Sequence, residues 1–568
     1  MTPSVSTVSA PSRPLRATPR PPAAVLIGTV GLLLAVLSVY LYHAYWFAVD
    51  FPFMDDTSLL RLVYEVRGST SLSYTFQRFL AADNDHRLVI PRLIAYGDYL
   101  LNGSLNFRAY ILLANVNLLA VLWLLYRRFR AARLPLYYFL PVPFLLLQFQ
   151  YHEVTNWAVT GLQHTTLCLL ALLISELVSH PSRSLRRTLA LGLAVAATFT
   201  HGNGITTFGI GMYVLLAQRD VAGFRSWVLA AVACLTVYVW GYSFSDEAAT
   251  DRSLVAVAGV FFGLLGANLS VLAEGSLVVS VVWGLVVTAA VVPAVLTVLL
   301  TGPARRPNRE AVLCADFVFV FLTLLMVALF RAQDQIGLPN RFKLYAALAS
   351  ALGYLMLLQR PQLPFRGAIF ATVLLASVGF NGLCYATYLP ENLYKRSQYL
   401  ADTFNWKRHR LMLSVPFAFN HNAAYYLRPA YDQGYWQLPD YLPETEAALQ
   451  TARACPTPVR CRQIRDGHDE LLLLDYDPAP HRHQRVPNDL VAVLIHQQTN
   501  APYLVGAMPR RLSYKTMLAE RALLSATYTA RVVRGSLPPG RYRVGLLVAE
   551  SAARRPHVTM LADGVQLD

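Results

Sequence analysis

The chain has 568 residues, of which 55% are hydrophobic and only 14% charged, and its mean hydropathy is +0.39. Soluble proteins carry about a quarter charged residues, so a string of soluble domains is excluded; one membrane domain and one extramembrane domain are expected instead. The net charge of +16 does not point to nucleic acid, because the basic residues gather in short loops between apolar runs, where Lys and Arg mark the cytoplasmic side.

Residues 1–23 include PSRPLRATPRPP, a Pro-rich basic stretch that reads as a disordered cytoplasmic tail. The run from Ala23 to Trp46 holds no charged residue and exceeds the roughly 20 apolar residues that cross a bilayer. It has no small-residue cleavage site, so it reads as a retained first span. A long polar segment, 47–106, follows on the far side. Phe107–Tyr126 then returns to the basic RRFRAAR. Further spans at Leu134–Phe149 and Ala158–Val178 flank YHEVTNW and end at SHPSRSLRR. Two short segments meet at HGNG (His201–Gly204) and return to AQRDVAGFR, and a span at Ser226–Phe244 leads to the acidic SDEAATDR, placed outside.

Residues 254–272 are apolar, but the next basic loops are PARRPNR and RPQLPFR. If both loops are cytoplasmic, 254–272 is re-entrant or interfacial, the chain has about 11 spans, and its tail lies outside. A full crossing makes twelve spans and a cytoplasmic tail. The first count keeps every positive loop inside and is the one expected here. The fold class is therefore an α-helical polytopic membrane domain over 24–390, followed by an external β-rich domain over 391–568.

In that second domain NLYKRSQYLADTF reads as an amphipathic connecting helix, and LLLLDYD, DLVAVLIHQQ, YTARVVRG and RYRVGLLVAE read as strands. Pro-Pro-Gly before RYRVGLLV predicts a hairpin turn, and the whole suggests a sandwich without a catalytic motif. Cys168, Cys234, Cys314 and Cys384 fall in spans as small apolar residues. Cys455 and Cys461 sit in a polar loop, either as a small disulfide of an oxidising compartment or as two unrelated thiols.

The first loop carries the most chemistry. It is far longer than a simple connection and has the patterning of amphipathic helices lying on the membrane surface. Asp55 and Asp56 come soon after the first span, where carboxylates are costly unless paired or useful. They read as a general base or as an N-cap for a helix beginning at Thr57 or Ser58. Asp85, His86 and Arg87, with Arg92 just beyond, form a second group. The arginines suit phosphate, or ordinary headgroup anchoring. His86 has no partners at metal-site spacing. Asn102-Gly103-Ser104 matches a glycosylation sequon.

FPFMDDTSLL, an acidic pair in a long first loop, resembles the Pro-x-x-Asp-Glu segment of GT-C superfamily membrane glycosyltransferases, among them protein mannosyltransferases and the aminoarabinose transferases of lipid A. Asp-Asp here replaces Asp-Glu. NDHRLVIPR, HEVTNWAVTGLQ and HGNG are similar in layout to a broad group of bacterial polytopic proteins, over roughly residues 24–400. The resemblance implies transfer of a sugar, with inversion, from a polyprenyl-phosphate carrier to a glycan, lipid or protein acceptor. The reaction would run on the external face of the bacterial inner membrane, with a periplasmic tail domain and membrane lipid as a further partner. Asp55 would be the base, with Asp56 the second candidate. Glu153, Asn156 and Asn203 would contact sugar or acceptor, and Arg331, Arg341 and Lys343 would hold the carrier phosphate. It also places the chain nearer the metal-independent members, so no cofactor is expected and a divalent metal is not supported. Two rivals are kept: a lipid-linked saccharide transporter, which the nearly charge-free spans and lack of a repeat disfavour, and an envelope-assembly scaffold.

Overall fold

The computed structural model describes residues 22–83, 86–180, 184–240, 253–272, 276–301, 308–331, 338–360, 363–454, 461–466, 469–475, 489–520, 523–549 and 556–567. Among these, eight helices are long and apolar enough to cross a membrane.

Helix α1 (Ala23–Phe47) exposes Leu26, Ile27, Leu32 and Leu34 to its surroundings, as a lipid-facing helix does. The first loop folds into α2 (Thr57–Val66), α3 (Leu72–Leu80), the short strands β1 (Ala82–Asp83) and β2 (His86–Arg87), and α4 (Val89–Asn102). α4 stops at Gly103, whose φ of +73° suits glycine, while Asn102 donates to Asp98. The Asn-Gly pair of the sequon is thus a helix terminus. α5 (Phe107–Arg130) begins where Asn106 accepts from the Ala109 N–H and the buried Asp50 carboxylate accepts from the Phe107 N–H at 2.7 Å.

The segment expected to span at 134–149 is helical only in pieces, a 3-10 turn at Leu136–Phe139 and α6 (Pro141–Leu146). α7 (His152–Thr155) precedes α8 (Ala158–Val178), which is buried along nearly its whole length and forms the centre of the bundle. α9 (Ser184–Thr198) and α10 (Thr206–Ala217) meet at HGNG. A Cβ on Gly204 would lie 1.9 Å from the Ala197 carbonyl oxygen, so glycine is needed for the two backbones to approach.

α11 (Val221–Val239) leads to α12 (Leu254–Leu265) and α13 (Leu277–Thr301). α12 rises only about 18 Å and ends in a 3-10 turn at Ala267–Val271. It packs on α13 through Gly266 and Gly284, where a Cβ on either would overlap the other helix's backbone. α14 (Asn308–Arg331) and α15 (Lys343–Leu358) complete the inner layer. The helical bundle is not free of charge: Arg128 on α5 pairs with Asp316 on α14 at 2.8 Å, both buried, and Ser175 donates to the same carboxylate at 2.6 Å. Such a pair persists in a dry interior only when both charges are matched and hydrogen-bonded.

α16 (Arg366–His409) has 44 residues, about 66 Å, so the last apolar helix and the expected connecting helix are one rod. α17 (Phe417–Asp432) returns to the first loop, where Tyr426 donates to Thr57 at 3.1 Å. α18 (Thr445–Gln450) then leads into the sheet.

Strands β3 (Arg453–Ala454), β4 (Cys461–Asp466), β5 (Asp469–Asp475), β6 (Asp489–His496), β7 (Pro502–Arg511), β8 (Leu524–Val533), β9 (Gly540–Ala549) and β10 (Pro556–Leu567) form one sheet, with α19 (Tyr514–Glu520) between β7 and β8. Its order is β3-β10-β9-β6-β7-β8-β5-β4, antiparallel except for β3 beside β10. Gln463 on β4 donates to the Gln566 carbonyl on β10, so the sheet curls back on itself rather than forming two separate layers. β6 is apolar on both faces. Leu490, Ala492 and Leu494 fill the core inside the curl, and Val491, Val493 and Ile495 pack with Leu400 and Ala401 of α16.

The hairpin expected at Pro-Pro-Gly does not form, because β9 takes β10 and β6 as its partners on its two edges. β8 and β9 do not pair: β9 lies between β10 and β6, and β8 lies beyond β7. Cys455 lies outside the described residues, and the disulfide proposed for Cys455 and Cys461 with it. Cys461 opens β4, and Cys168, Cys234, Cys314 and Cys384 are buried among the helices.

Candidate functional site

Several loops converge at one end of the helical bundle, the end from which α16 carries the β-rich domain. The first contributor is the turn Phe53–Asp56. Met54 has φ of +46°, a conformation costly for a side chain, and the 3-10 turn Met54–Asp56 follows. Asp56 is buried. One carboxylate oxygen accepts from the Phe53 N–H at 3.1 Å, and the other accepts from the Val159 N–H at 2.6 Å in the first turn of α8. Burial outweighs these hydrogen bonds and pushes its pKa up to about 8, with Asp55 adding to the rise. Asp55 is half-buried on the same turn.

The second contributor is the segment around α7. Glu153 lies 3.7 Å from Arg341, and Asn156 donates to Asn392 on α16. Buried His152 contacts Glu391 at 3.5 Å. Burial, then Lys395 and Lys343, push the imidazole down to about 3, so that contact is not an ion pair.

The third contributor is the turn before α15. Leu338, at φ +51°, leads into the 3-10 turn Asn340–Phe342. Lys343, buried at the start of α15, donates to Asn340 Oδ1 at 2.7 Å and Tyr388 Oη at 3.1 Å. On α16 the Lys395 ammonium sits 3.9 Å from the centroid of the Phe53 ring, within electrostatic reach of Glu153 and Glu391.

A stack of histidines adjoins this cluster. The rings of His86 and His201 lie 4.3 Å apart and those of His201 and His164 4.8 Å apart. His164 bonds Tyr345 Oη through Nδ1 at 2.9 Å and meets the Phe342 ring edge-on. Phe342 thereby joins the histidines to Arg341 and Lys343. Asn203 is buried beside His201, its Nδ2 without a hydrogen-bond partner among the described residues. Among the described residues no group of three His, Cys, Asp or Glu side chains is placed to hold a metal ion. α8, α10 and α15 all begin at this end, which adds their partial positive charges to the lysines and arginine.

The structure thus brings together Asp55, Asp56, His86, Glu153, Asn156, Asn203, Arg341 and Lys343. Arg331 is the last residue of α14, and Asp85 lies outside the described residues. Arg87 and Arg92 are committed elsewhere. Arg87 donates to the carbonyls of Leu80, Tyr238 and Trp240 at the ends of α3 and α11. Arg92 donates to those of Phe79 and Ala81, and its burial lowers its pKa to about 10. Their donors close helix C-termini, where cations are favoured, rather than facing the cluster.

The cluster also draws in His152, His164, His201, Tyr388, Glu391, Asn392 and Lys395, none of them a candidate from the sequence alone. The signal for four of them was the spacing 388, 391, 392 and 395, one helical face that crosses the expected boundary between the last span and the connecting helix. No protein-family model, no curated protein and no solved structure matches the chain, so geometry and chemistry carry the functional reading.

Proposed function

We propose that the protein is a membrane glycosyltransferase that moves a sugar from a polyprenyl-phosphate carrier to a hydroxyl acceptor on the external face. The observation that carries this reading is the convergence of carboxylates and fixed cations from widely separated segments at one end of an apolar helical bundle. Asp55 is the base: it takes the proton as the acceptor oxygen bonds to the anomeric carbon and the sugar–phosphate bond breaks with inversion. Asp56 holds the turn in place. Arg341, Lys343 and Lys395, aided by the starts of α8, α10 and α15, stabilise the negative charge that builds on the departing phosphate. Glu153, Asn156 and Asn203 orient sugar and acceptor. Eleven crossings, with 254–272 not traversing the bilayer, put this cluster and the β-rich domain outside.

The test is sugar transfer from a polyprenyl-phosphate donor by full-length protein in liposomes. Asp55→Asn is expected to lower the rate by about 10³-fold or more, the usual scale for losing a general base together with its charge. Undiminished transfer by Asp55→Asn sinks the mechanism. A lipid-linked saccharide transporter is the second reading, favoured by the buried Arg128–Asp316 pair between α5 and α14. Its signature is saccharide crossing the bilayer without bond cleavage, sensitive to Asp316→Asn.

A further inference from the structure

A cleft of about 600 Å³ lies within the helical bundle, away from the cluster described above. Its walls come from α13, α14, α15 and α16, with Trp283, Val291, Gly353 and Phe380 among them. Along α13 it runs from Trp283 to Val298, about 22 Å. Its size is within the usual range of small-molecule sites.

The two ends of the cleft differ. Towards the candidate site it stops at Asn268 and Ser350. Asn268 donates to the Ala346 carbonyl at 3.1 Å and to Ser350 at 2.8 Å, and Gln150 donates to the carbonyls of Ala267 and Asn268. This polar layer separates the cleft from Lys343 and Tyr388. At the opposite end the lining includes Glu310, Gln359 and Arg360. The Arg360 side chain is exposed there, and its carbonyl accepts from the Arg366 guanidinium at 2.9 Å, which brings a second cation to the same mouth. Val286 both lines the cleft and is 49% exposed, so the cleft opens sideways between α13 and α16, whose outer faces are apolar.

We infer that this cleft holds one acyl chain of an anionic membrane phospholipid, whose headgroup phosphate lies at Arg360 and Arg366. An apolar slot open to hydrocarbon takes a chain, and basic residues at the end of a cleft between spanning helices select an anionic headgroup. The polar layer at Gln150 and Asn268 argues against the sugar carrier as occupant, since its phosphate is proposed at Arg341 and Lys343. The exclusion of the sugar carrier rests on the glycosyltransferase reading, whereas the apolar slot and its basic mouth do not.

The full-length protein, delipidated and returned to nanodiscs of equal phosphatidylglycerol and phosphatidylcholine, is released for native mass spectrometry of retained lipid. Wild type is expected to keep one phosphatidylglycerol, at least tenfold over phosphatidylcholine. Gly353→Leu with Ala294→Phe fills the slot. A Cβ at Gly353 meets only Val291 at 3.7 Å, so the new side chain has room to grow, and bound lipid should fall at least tenfold. Arg360→Glu, at an exposed site, should retain lipid but lose the phosphatidylglycerol preference. Equal retention by the filled variant, or an unchanged preference in Arg360→Glu, overturns the assignment. So does polyprenyl phosphate as the lipid retained by wild type from native membranes.

Discussion

The Asp56 carboxylate accepts the Val159 N–H at 2.6 Å across 103 residues of sequence, tying the first loop to the start of the most buried helix of the bundle. Its other oxygen closes its own turn on Phe53. One acidic residue therefore sets both the shape of the loop and its position over α8.

Because burial raises Asp56 to about 8, far above its ordinary carboxylate range, the folded loop binds this proton more tightly than the unfolded chain. Stability at this contact is therefore greatest in acid and falls as pH rises from about 4 through about 8, the reverse of a salt-bridged carboxylate. Hydrogen exchange of the Val159 amide should show less protection at pH 9 than at pH 6 in wild type, and no such slope in Asp56→Asn. Asp56→Ala strands two buried amides and should cost about 2–4 kcal/mol in thermal unfolding.

Sequence and structure part company in an orderly way. The apolar runs were legible because a membrane demands long stretches without charge, and the strand β6 because both its faces are buried. Asp56 was legible only as a choice between base and cap, since Val159, its partner, is distant in sequence. Arg87 and Arg92 misled for the same reason: an arginine beside a membrane suits phosphate, and nothing local shows that Leu80, Tyr238 and Trp240 offer it carbonyls. The Arg128–Asp316 pair is hidden in the sequence because Arg128 falls in the basic RRFRAAR, beyond the span expected at Phe107–Tyr126, and Asp316 lies alone on α14. The histidine stack draws on β2, α8 and the α9–α10 turn, a meeting that no spacing rule could reveal.

Arg87→Lys separates structural from substrate-binding roles. Lysine keeps the charge but loses the planar fork that reaches carbonyls at the ends of α3 and α11. The change should destabilise the protein by about 2–3 kcal/mol through lost charge-assisted hydrogen bonds, with the donor KM unchanged in the protein that remains folded. A raised KM with an unchanged melting temperature contradicts this placement.

Gly506 on β7 lies against α16, where a Cβ would come within 2.9 Å of the Gln398 Cα and backbone nitrogen. The helix must move for any larger residue. Gly506→Ala should therefore cost about 1–3 kcal/mol as overpacking and loosen the sheet on the rod. Limited proteolysis of residues 453–567 in otherwise intact membranes should be several-fold faster, while Gly535→Ala, at an open turn, should lose stability without that selective cleavage.

Lys343 is the sharpest test of the charge placement. It is buried, donates to Asn340 and Tyr388, and stands at the first turn of α15, where the helix dipole disfavours a cation. On the proposed mechanism, the departing phosphate is the anion that Lys343 meets during turnover. Lys343→Met removes the charge while keeping much of the length, so folding should be preserved or improved. Transfer should fall about 10²-fold or more, as when a donor to a developing oxyanion is removed. Tyr388→Phe keeps the ring and the charge, and should reduce transfer by less than about tenfold, the scale of one neutral hydrogen bond. Paired measurements of melting temperature and transfer rate decide the matter: a Lys343→Met protein that melts lower and transfers normally would make the lysine a structural residue only.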